Sequence, residues 1–529
     1  MKNKTALTCT FAFTVLLALF ASAGAQTLRW AAQGDVQTLD PHSQNEILTN
    51  MVNGQIYETL VKRDRQLKVA PGLATEWKQV SPLLWRLKLR QGVKFHDGTP
   101  FTADDVIFSI QRAMDPNSLI RVYAAPVGKP RKLDASTVEF QLDKPNPLFL
   151  DHLVQLWMMS KPWAEKHKVL RPLNFKEREE SYTAMHANGT GPYQLAERQP
   201  GMKTALKRNP AWWDRHAGNV QEAHLIPIAN DATRNAALIS GEIDLVLDPA
   251  PRDLAKLRQS PHIKLLEGLE NRLIFIGMDQ HRDRLLYGKV PGNKNPFKDL
   301  RVRRALYQAI DIEAIKVKLM NGQSAPTGSL TPSPLGSFND PQLEARLPLD
   351  LPGAQKLMTE AGYPEGFEVT LDCPNNRYVN DEEICLALAA MWKKIKVTVR
   401  VNAQPRVTLF PKLEKGDTSL FLYGWGGAIT DAETMLTPVL RSPAEQGVGY
   451  ANFGGWKVEK ADSLAAASSI EADPVKREQL LRAALREYRD ALPILPLHRQ
   501  TAPWAMRSKV SAQHRADNWL ELNWVTVSP

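Results

Sequence analysis

The sequence WRLKLRQGVKFHDGTPFTADDV, residues 85–106, contains a strand, a turn and the start of a helix. Its first five residues alternate between apolar and polar side chains, which is typical of a half-buried strand. Residues 92–100 are rich in turn formers. Thr102 is followed three residues later by Asp105, a capping-box pair that predicts the start of a helix. The helix would present one apolar face, formed by Val106, Ile107, Ile110 and Met114.

Strands and helices alternate along the rest of the chain. Asn230 or Asp231 is predicted to begin a helix that ends at Gly241, where a left-handed C-terminal cap is expected. The alternation indicates an α/β protein. Other predicted strands cover residues 243–247, 273–278, 367–371, 397–401 and 419–423, and other predicted helices lie around residues 302–309 and 382–394.

The first residues have the three parts of a secretory signal peptide. Lys2 and Lys4 precede an uncharged apolar segment at residues 6–20, and an A-x-A cleavage signature at residues 23–25 precedes Gln26. A membrane anchor is the alternative, but the apolar segment is shorter than the ~20 residues that a spanning helix needs. No cysteine follows the cleavage point, so a lipid anchor is not expected. We therefore predict a soluble periplasmic protein.

Composition and charge narrow the class of function. Apolar residues make up 43% of the chain and charged residues 23%, as in ordinary globular proteins. The roughly 500 residues left after cleavage are too many for one core, so two or three lobes are expected. The net charge of +10 is spread along the chain without a block of like charges, which argues against nucleic-acid binding. No H-E-x-x-H, G-x-S-x-G or phosphate-loop motif is present, and the eleven histidines lack metal-ligand spacing, so no enzyme, metal or cofactor is predicted.

Several motifs in order resemble the peptide/nickel family, family 5, of extracellular solute-binding proteins of ABC transporters, which includes dipeptide- and oligopeptide-binding proteins. The block at residues 85–106 is similar to that family's signature almost position by position. The other matching motifs are T-L-D-P at residues 38–41, G-L-A-T-E-W at 72–77, G-T-G-P-Y at 189–193, R-N-P-x-W-W at 208–213, G-E-I-D at 241–244 and P-F-x-D-x-R-V-R-x-A at 296–305.

The resemblance implies a periplasmic-binding-protein fold of type II-like form with three lobes. Lobe I would combine residues 26–62, 186–282 and 496–529, lobe II would be inserted at 63–185, and lobe III would span 283–495. A peptide or related small organic solute would bind between lobes I and III, which would close over it. The expected partners are that solute and the permease subunits of an ABC importer, and the protein is expected to be a monomer. The alternative is a periplasmic receptor or chaperone of the same fold that is not coupled to import.

The sequence departs from the family pattern in the expected cleft. Peptide-binding members carry an aspartate three residues after the tryptophan of a Gly-Trp motif, and it pairs with the peptide ammonium. Here Gly424 and Trp425 are followed by Ala428 at that position, and the first acid is Asp431. Either Asp431 replaces the missing anchor, or it caps a helix and the ligand has no free ammonium. Trp425 could alternatively be a core aromatic, but glycines on both sides favour a cleft, and these are Gly424, Gly426 and Gly427.

Two other features are expected beside the cleft. Arg272, just before a strand, could meet a ligand carboxylate or could be a solvated surface residue. Cys373 and Cys385 are the two cysteines left after cleavage, and in an oxidising compartment they form a candidate disulfide. The alternative is two separate buried thiols. The loop that this bond would fix supplies three further candidate ligand contacts, Asn375, Asn376 and Arg377.

Overall fold

A computed structural model of the protein describes residues 26–174, 177, 179–333, 340–375, 377–427, 429–444 and 448–528. The predicted signal peptide, residues 1–25, lies outside the described residues. Within the described part of the chain, no helix is both long enough and apolar enough to cross a membrane. Three main sheets organise the chain, and the lobes that contain them are called I, II and III.

Lobe I is built on a seven-stranded sheet with Thr27–Ala32 at its centre. This strand runs parallel to its two neighbours, Glu222–Pro227 and Leu245–Leu247. The other strands are Tyr193–Gln199, Lys203–Arg208, Ile263–Leu266 and Trp504–Arg507. The helices are Ile47–Ile56, Asp231–Ser240 and Leu254–Gln259, and two small ribbons pair Val61–Arg63 with Val69–Pro71 and Val510–Ser511 with Thr526–Val527.

Lobe II contains a four-stranded antiparallel sheet and the helix predicted from the capping box. The Asp105 carboxylate accepts hydrogen bonds from the backbone N–H and hydroxyl of Thr102, at 2.8 and 2.9 Å, so the predicted helix start is confirmed. The strands, in spatial order, are Ala74–Ser81, Leu84–Leu89, Thr137–Gln141 and Lys129–Asp134. The helices are Ala103–Ala113, Arg121–Ala124, Phe149–Leu153 and Lys161–Lys166.

A buried ion pair fastens lobe II to lobe I. Asp40, in the T-L-D-P motif, accepts hydrogen bonds of 2.7 and 2.6 Å from the Arg112 guanidinium, and neither side chain is exposed. The same carboxylate accepts from the N–H of Leu173 and the hydroxyl of Thr183. One continuous apolar core also runs through both lobes. Lobes I and II are therefore tightly joined.

Lobe III contains a second seven-stranded sheet with an apolar core on each face. Its strands are Gly288–Lys289, Phe367–Pro374, Leu420–Gly426, Leu269–Met278, Ile494–Thr501 and Ser324–Pro326 in spatial order, with Val397–Gln404 beside Phe367–Pro374. Its α-helices are Leu300–Gln308, Ile312–Ala314, Pro341–Glu344, Leu351–Glu360, Asp381–Trp392, Arg406–Glu414, Glu433–Met435, Glu459–Ser468 and Pro474–Ala491, and Ile315–Leu319 and Leu436–Leu440 are π-helical.

The sheets correct two predicted lobe boundaries, at 282/283 and 495/496. Leu269–Met278 and Ile494–Thr501 pair with each other in the lobe III sheet, so both strands belong to lobe III. The chain leaves lobe I near Gly268 and returns near Ala502, whose N–H donates to the Gly268 carbonyl at 3.0 Å. The predicted start of lobe II at residue 63 is also early, because Val61–Arg63 forms its own ribbon and the lobe II sheet begins at residue 74. The sequence does not reveal these boundaries, because the composition does not change where the chain passes from one lobe to the next.

Candidate functional site

The glycine-rich segment at residues 424–427 lies at the end of a central strand of lobe III. Its neighbour is the start of Leu269–Met278, in a register that sets Arg272 opposite Gly426. Gly426 must be a glycine, because a Cβ there would lie 1.8 Å from the Asn271 carbonyl oxygen. A Cβ on Gly427 would meet nothing within 4 Å, so the backbone is open on that side. A solute can therefore approach the main chain here closely.

The loop that carries Arg377 is fixed beside this segment. The Asp381 carboxylate accepts from the backbone N–H groups of Arg377 and Tyr378, at 2.9 and 3.0 Å. The Tyr378 hydroxyl donates to the Gly424 carbonyl at 3.0 Å. The structure also contains the Cys373–Cys385 disulfide, with Cα atoms 6.6 Å apart, which closes the chain around the loop. The disulfide and the hydrogen bonds of Asp381 and Tyr378 therefore hold the loop in position.

Arg377 carries the cation of this site that lacks a counter-ion. Its guanidinium lies 5.3 Å from the centre of the Tyr378 ring, and no described residue accepts a hydrogen bond from it. Burial lowers the pKa of Arg377 and the like charge of Arg272 lowers it further, while Tyr378 and the Glu270 carboxylate act in the opposite direction. Glu270, the carboxylate that also acts on Arg377, is paired with Arg272, and a half-buried guanidinium without an ion pair of its own favours the arrival of an anion.

Arg272, in contrast, is already neutralised. Its guanidinium donates to the Glu270 carboxylate at 2.9 and 3.1 Å, and only 7% of either side chain is exposed. Glu270 also accepts from the Gln500 amide at 3.0 Å. The alternative of a solvated surface arginine is therefore wrong, because residue 272 lies in a strand that is paired on both sides, where its buried charge needs a partner.

Lobe I contributes a carboxylate to the same region. Asp248 follows the strand Leu245–Leu247 and accepts from the Asn518 amide at 3.1 Å. Burial raises the pKa of Asp248 to about 6, and the nearby Glu270 of lobe III acts in the same direction. The Asn271 N–H donates to the Ala516 carbonyl at 2.6 Å. Lobes I and III therefore meet beside the strand end that carries Gly426.

An aromatic wall lies along lobe III beyond the glycines. Trp425 is partly buried, and its indole N–H donates to the Thr434 carbonyl at 2.5 Å. Its ring centre lies 5.7 Å from that of Tyr450, which is 58% exposed, and 6.3 Å from that of Tyr423. Trp425 thus packs one edge in the core and leaves part of its surface accessible, which suits a wall against which an apolar part of a solute can pack.

Comparison with known proteins identifies the family. Residues 68–447 match the model for bacterial extracellular solute-binding proteins, family 5, which covers more than half of the chain. The chain belongs to this family. It is similar to the periplasmic oligopeptide-binding protein OppA of Salmonella typhimurium, at 26% identity over 507 residues that span 90% of this chain and 89% of OppA. It is also similar to the probable deoxycholate-binding periplasmic protein YgiS of Escherichia coli, at 25% identity over 500 residues that span 90% of this chain and 88% of YgiS.

Solved structures of the same fold support the α/β architecture of this family 5 protein. The ABC transporter substrate-binding protein CtaP of Listeria monocytogenes superposes with a TM-score of 0.81 at 22% identity, covering 95% of this chain and 99% of CtaP. The predicted fold class is therefore confirmed. The chain is a solute-binding protein, and the relatives that it matches are binding proteins.

Of the two roles expected for Asp431, the structure shows the helix cap. Its carboxylate accepts from the N–H of Glu433 at 2.9 Å, which is a helix-capping contact. Both carboxylate oxygens also accept from the Arg477 guanidinium, at 2.7 and 2.9 Å. Its charge is thus already paired, and Asp431 is not available as a substitute for the acid missing at Ala428. Ala428 itself lies outside the described residues.

Most of the remaining predicted site residues lie at one strand end of lobe III. Asn375 is exposed at the start of the Arg377 loop, where its N–H donates to the Gln404 carbonyl at 3.2 Å, and Asn376 lies outside the described residues. Contact of any predicted residue with a ligand stays a prediction. The structure brings the following together at one strand end: Arg272, Arg377, Gly424, Trp425, Gly426 and Gly427.

The sequence reasoning missed the polar residues that lobe I and the strand ends contribute. Asp248, Glu270 and Gln500 are far apart in the chain, and nothing in their local pattern separates them from surface residues. One signal was available. Asp248 follows an all-apolar buried strand directly, and in α/β folds the chain beyond strand ends is where ligands bind.

Proposed function

We propose that this chain is the periplasmic substrate-binding protein of an ABC importer, and that it captures a small organic solute bearing a carboxylate. The solute would bind between lobes I and III, beside the strand end at Gly426. The observation that carries the proposal is the Arg377 guanidinium, which lacks a carboxylate partner among the described residues while Arg272 beside it is paired.

The charges around the cleft favour an anionic group on the solute over a free ammonium. Arg377 offers two parallel N–H groups, the geometry in which guanidinium recognises a carboxylate. The acid that would anchor an ammonium next to Trp425 is missing, since Asp431 is paired with Arg477. The carboxylate that lobe I contributes, Asp248, accepts from the Asn518 amide, and burial raises its pKa to about 6, so it is a weaker partner for an ammonium than an ordinary aspartate. The relatives named above are described as binding oligopeptides and deoxycholate; both ligands carry a carboxylate, and oligopeptides carry an ammonium as well.

Lobe closure follows from how the chain connects the two large sheets. Of the described residues, those near Gly268 and Ala502 connect lobe I to lobe III in two adjacent strands of chain. Two short connections that run side by side in opposite directions would form a hinge that can bend without breaking either sheet. A solute that contacts both lobes would stabilise the closed form only, which is how it would shift the population.

The compartment and the partner are part of the same proposal. A cleaved signal peptide at residues 1–25 would deliver the chain to the periplasm, where the Cys373–Cys385 disulfide is stable. The closed form would then dock on permease subunits in the membrane. We propose that the protein acts there as a monomer, without a cofactor.

Native mass spectrometry of protein purified from its own periplasm tests this proposal. The wild type should carry the additional mass of a small organic acid. Arg377→Gln should lose that mass, because the amide cannot replace the charge. Arg400→Gln is the matched control, since it removes an exposed arginine from lobe III at a distance from the glycine segment, and it should retain the ligand. Retention of the acid by Arg377→Gln would contradict the proposed role.

A further inference from the structure

Lobe III contains a cavity whose lining includes none of the candidate cleft residues. It lies between the helices Leu300–Gln308, Leu351–Glu360 and the C-terminal end of Pro474–Ala491. Its volume is about 420 Å³, which is in the range of small-molecule sites. Its apolar wall consists of Leu330, Leu347, Leu357 and Pro496.

A tyrosine in the cavity wall has an unused hydroxyl group. Tyr307 is only 3% exposed, and its hydroxyl has no hydrogen-bond partner among the described residues. Burial raises the pKa of Tyr307 to about 12, while the positive charges of Arg346 and Arg489 act in the opposite direction. Two guanidinium groups therefore lie close to a hydroxyl that can still donate a hydrogen bond.

Among the described residues, Arg346 and Arg489 form no ion pair, although the Glu313 carboxylate acts to raise the pKa of Arg346, and Arg304 is a further arginine in the cavity wall. Arg346 stacks 4.4 Å from the centre of the Tyr307 ring and donates to the carbonyls of Thr327 and Leu497, at 3.2 and 3.0 Å, and to that of Pro496. Its second terminal nitrogen is buried without a partner in the described structure, and burial lowers the pKa of Arg346. Arg489, which lines the cavity, donates to the Ala345 carbonyl at 3.1 Å and to no other described residue.

The cavity therefore combines an apolar wall with the positive charges of Arg304 and Arg489, and Arg346 stacks on its Tyr307. A buried guanidinium without a counter-ion is costly, and hydrogen bonds to carbonyl groups stabilise its charge less than a carboxylate would. Asp490 also lines the cavity, but it forms no ion pair with Arg346 or Arg489 in the part of the chain that the structure describes. Neutral solutes would leave the charges unpaired, and small inorganic anions would leave the leucines uncovered.

We propose that this cavity binds an organic anion, a carboxylate on an aliphatic or aromatic body. The carboxylate would accept hydrogen bonds from Arg489 and from the Tyr307 hydroxyl. The apolar body would pack against Leu347 and Leu357. This site is independent of the cleft, so the protein can hold two different solutes at once.

Ligand-observed NMR titration with hexanoate and with hexan-1-ol tests the proposal on the full mature protein. Hexanoate should bind in the millimolar range or tighter, and the alcohol should bind more weakly. Arg489→Gln and Tyr307→Phe should each weaken hexanoate binding, the first by about tenfold because a charge-assisted hydrogen bond is lost. Tyr307→Phe removes one buried oxygen and should fold normally.

Two further variants complete the test. Arg486→Gln removes a charge from the same helix, from an arginine that pairs with Asp340, and should leave hexanoate binding unchanged. Arg377→Gln should also leave it unchanged if the anion lies in the cavity. Loss of binding in Arg377→Gln would assign the anion to the cleft and overturn the proposal. Equal binding by wild type, Arg489→Gln and Tyr307→Phe, or no binding at tens of millimolar, would overturn it as well.

Discussion

Replacing Asp40 by asparagine should destabilise the junction of lobes I and II by about 3–5 kcal/mol. Arg112 donates two short hydrogen bonds to this carboxylate, and both side chains are completely buried. Asparagine has nearly the same shape but no charge, so the Arg112 guanidinium would stay buried without a counter-ion. The cost of removing Arg112 from water would then remain, without the attraction to Asp40 that offsets it. This uncompensated cost is the reason for the expected loss of stability.

Urea unfolding followed by circular dichroism measures this effect. Asp214→Asn is the matched control, because Asp214 pairs with Lys62 on the surface, where the side chains are 39% and 43% exposed. An exposed pair contributes at most about 1 kcal/mol. The double variant Asp40→Asn with Arg112→Met should lose less than the single variant, since it leaves no unpaired charge.

The pH dependence adds an independent check on the same pair. Burial alone would raise the pKa of Asp40, but Arg112 more than offsets this and holds the pKa well below its ordinary value. A lowered carboxyl pKa contributes stability above the unfolded pKa of 3.8 and loses it as the pH falls further. The stability gap between wild type and Asp40→Asn should therefore narrow in acid. Equal destabilisation by Asp40→Asn and Asp214→Asn would refute the reasoning.

Three other results are expected. Thiol titration of denatured, unreduced protein should find no free Cys373 or Cys385, and reduction should cost roughly 3 kcal/mol of stability by the chain-entropy model. Asp431→Asn should lower the unfolding midpoint but leave calorimetric ligand affinity unchanged, because its carboxylate pairs with Arg477. Burial raises the pKa of Glu433 to about 7, so the free energy of unfolding should fall as the pH rises from about 4.5 to 7, and Glu433→Gln should remove that part of the decline in a pH series of urea titrations.

Local patterns in the sequence predicted the parts of the fold that local contacts determine. The pair Thr102 and Asp105 forms the expected capping box, and Asn230 caps the helix that ends at a left-handed Gly241. These features depend on residues a few positions apart. The strand Leu269–Met278 was expected to start at residue 273, and its earlier residues were missed because charged side chains interrupt the apolar run.

Side-chain partners across long distances could not be read from the sequence. Asp431 is followed by a helix, so capping and ligand binding had equal support, and only the fold reveals Arg477 beside it. Arg272 and Glu270 are two residues apart, which places both on one face of a strand. Their burial, however, depends on the neighbouring strands, which are distant in the sequence. Asp248 joins them from another lobe.

The most direct test of the anionic cleft uses the solute recovered from the periplasm and its methyl ester, titrated calorimetrically into wild type and Arg377→Gln. Esterification removes the charge that Arg377 is proposed to bind. For the wild type, the ester should bind about ten- to a hundredfold more weakly than the acid, as expected for a lost charge-assisted hydrogen bond. For Arg377→Gln, acid and ester should bind alike. An equal loss on esterification in both proteins would contradict the account.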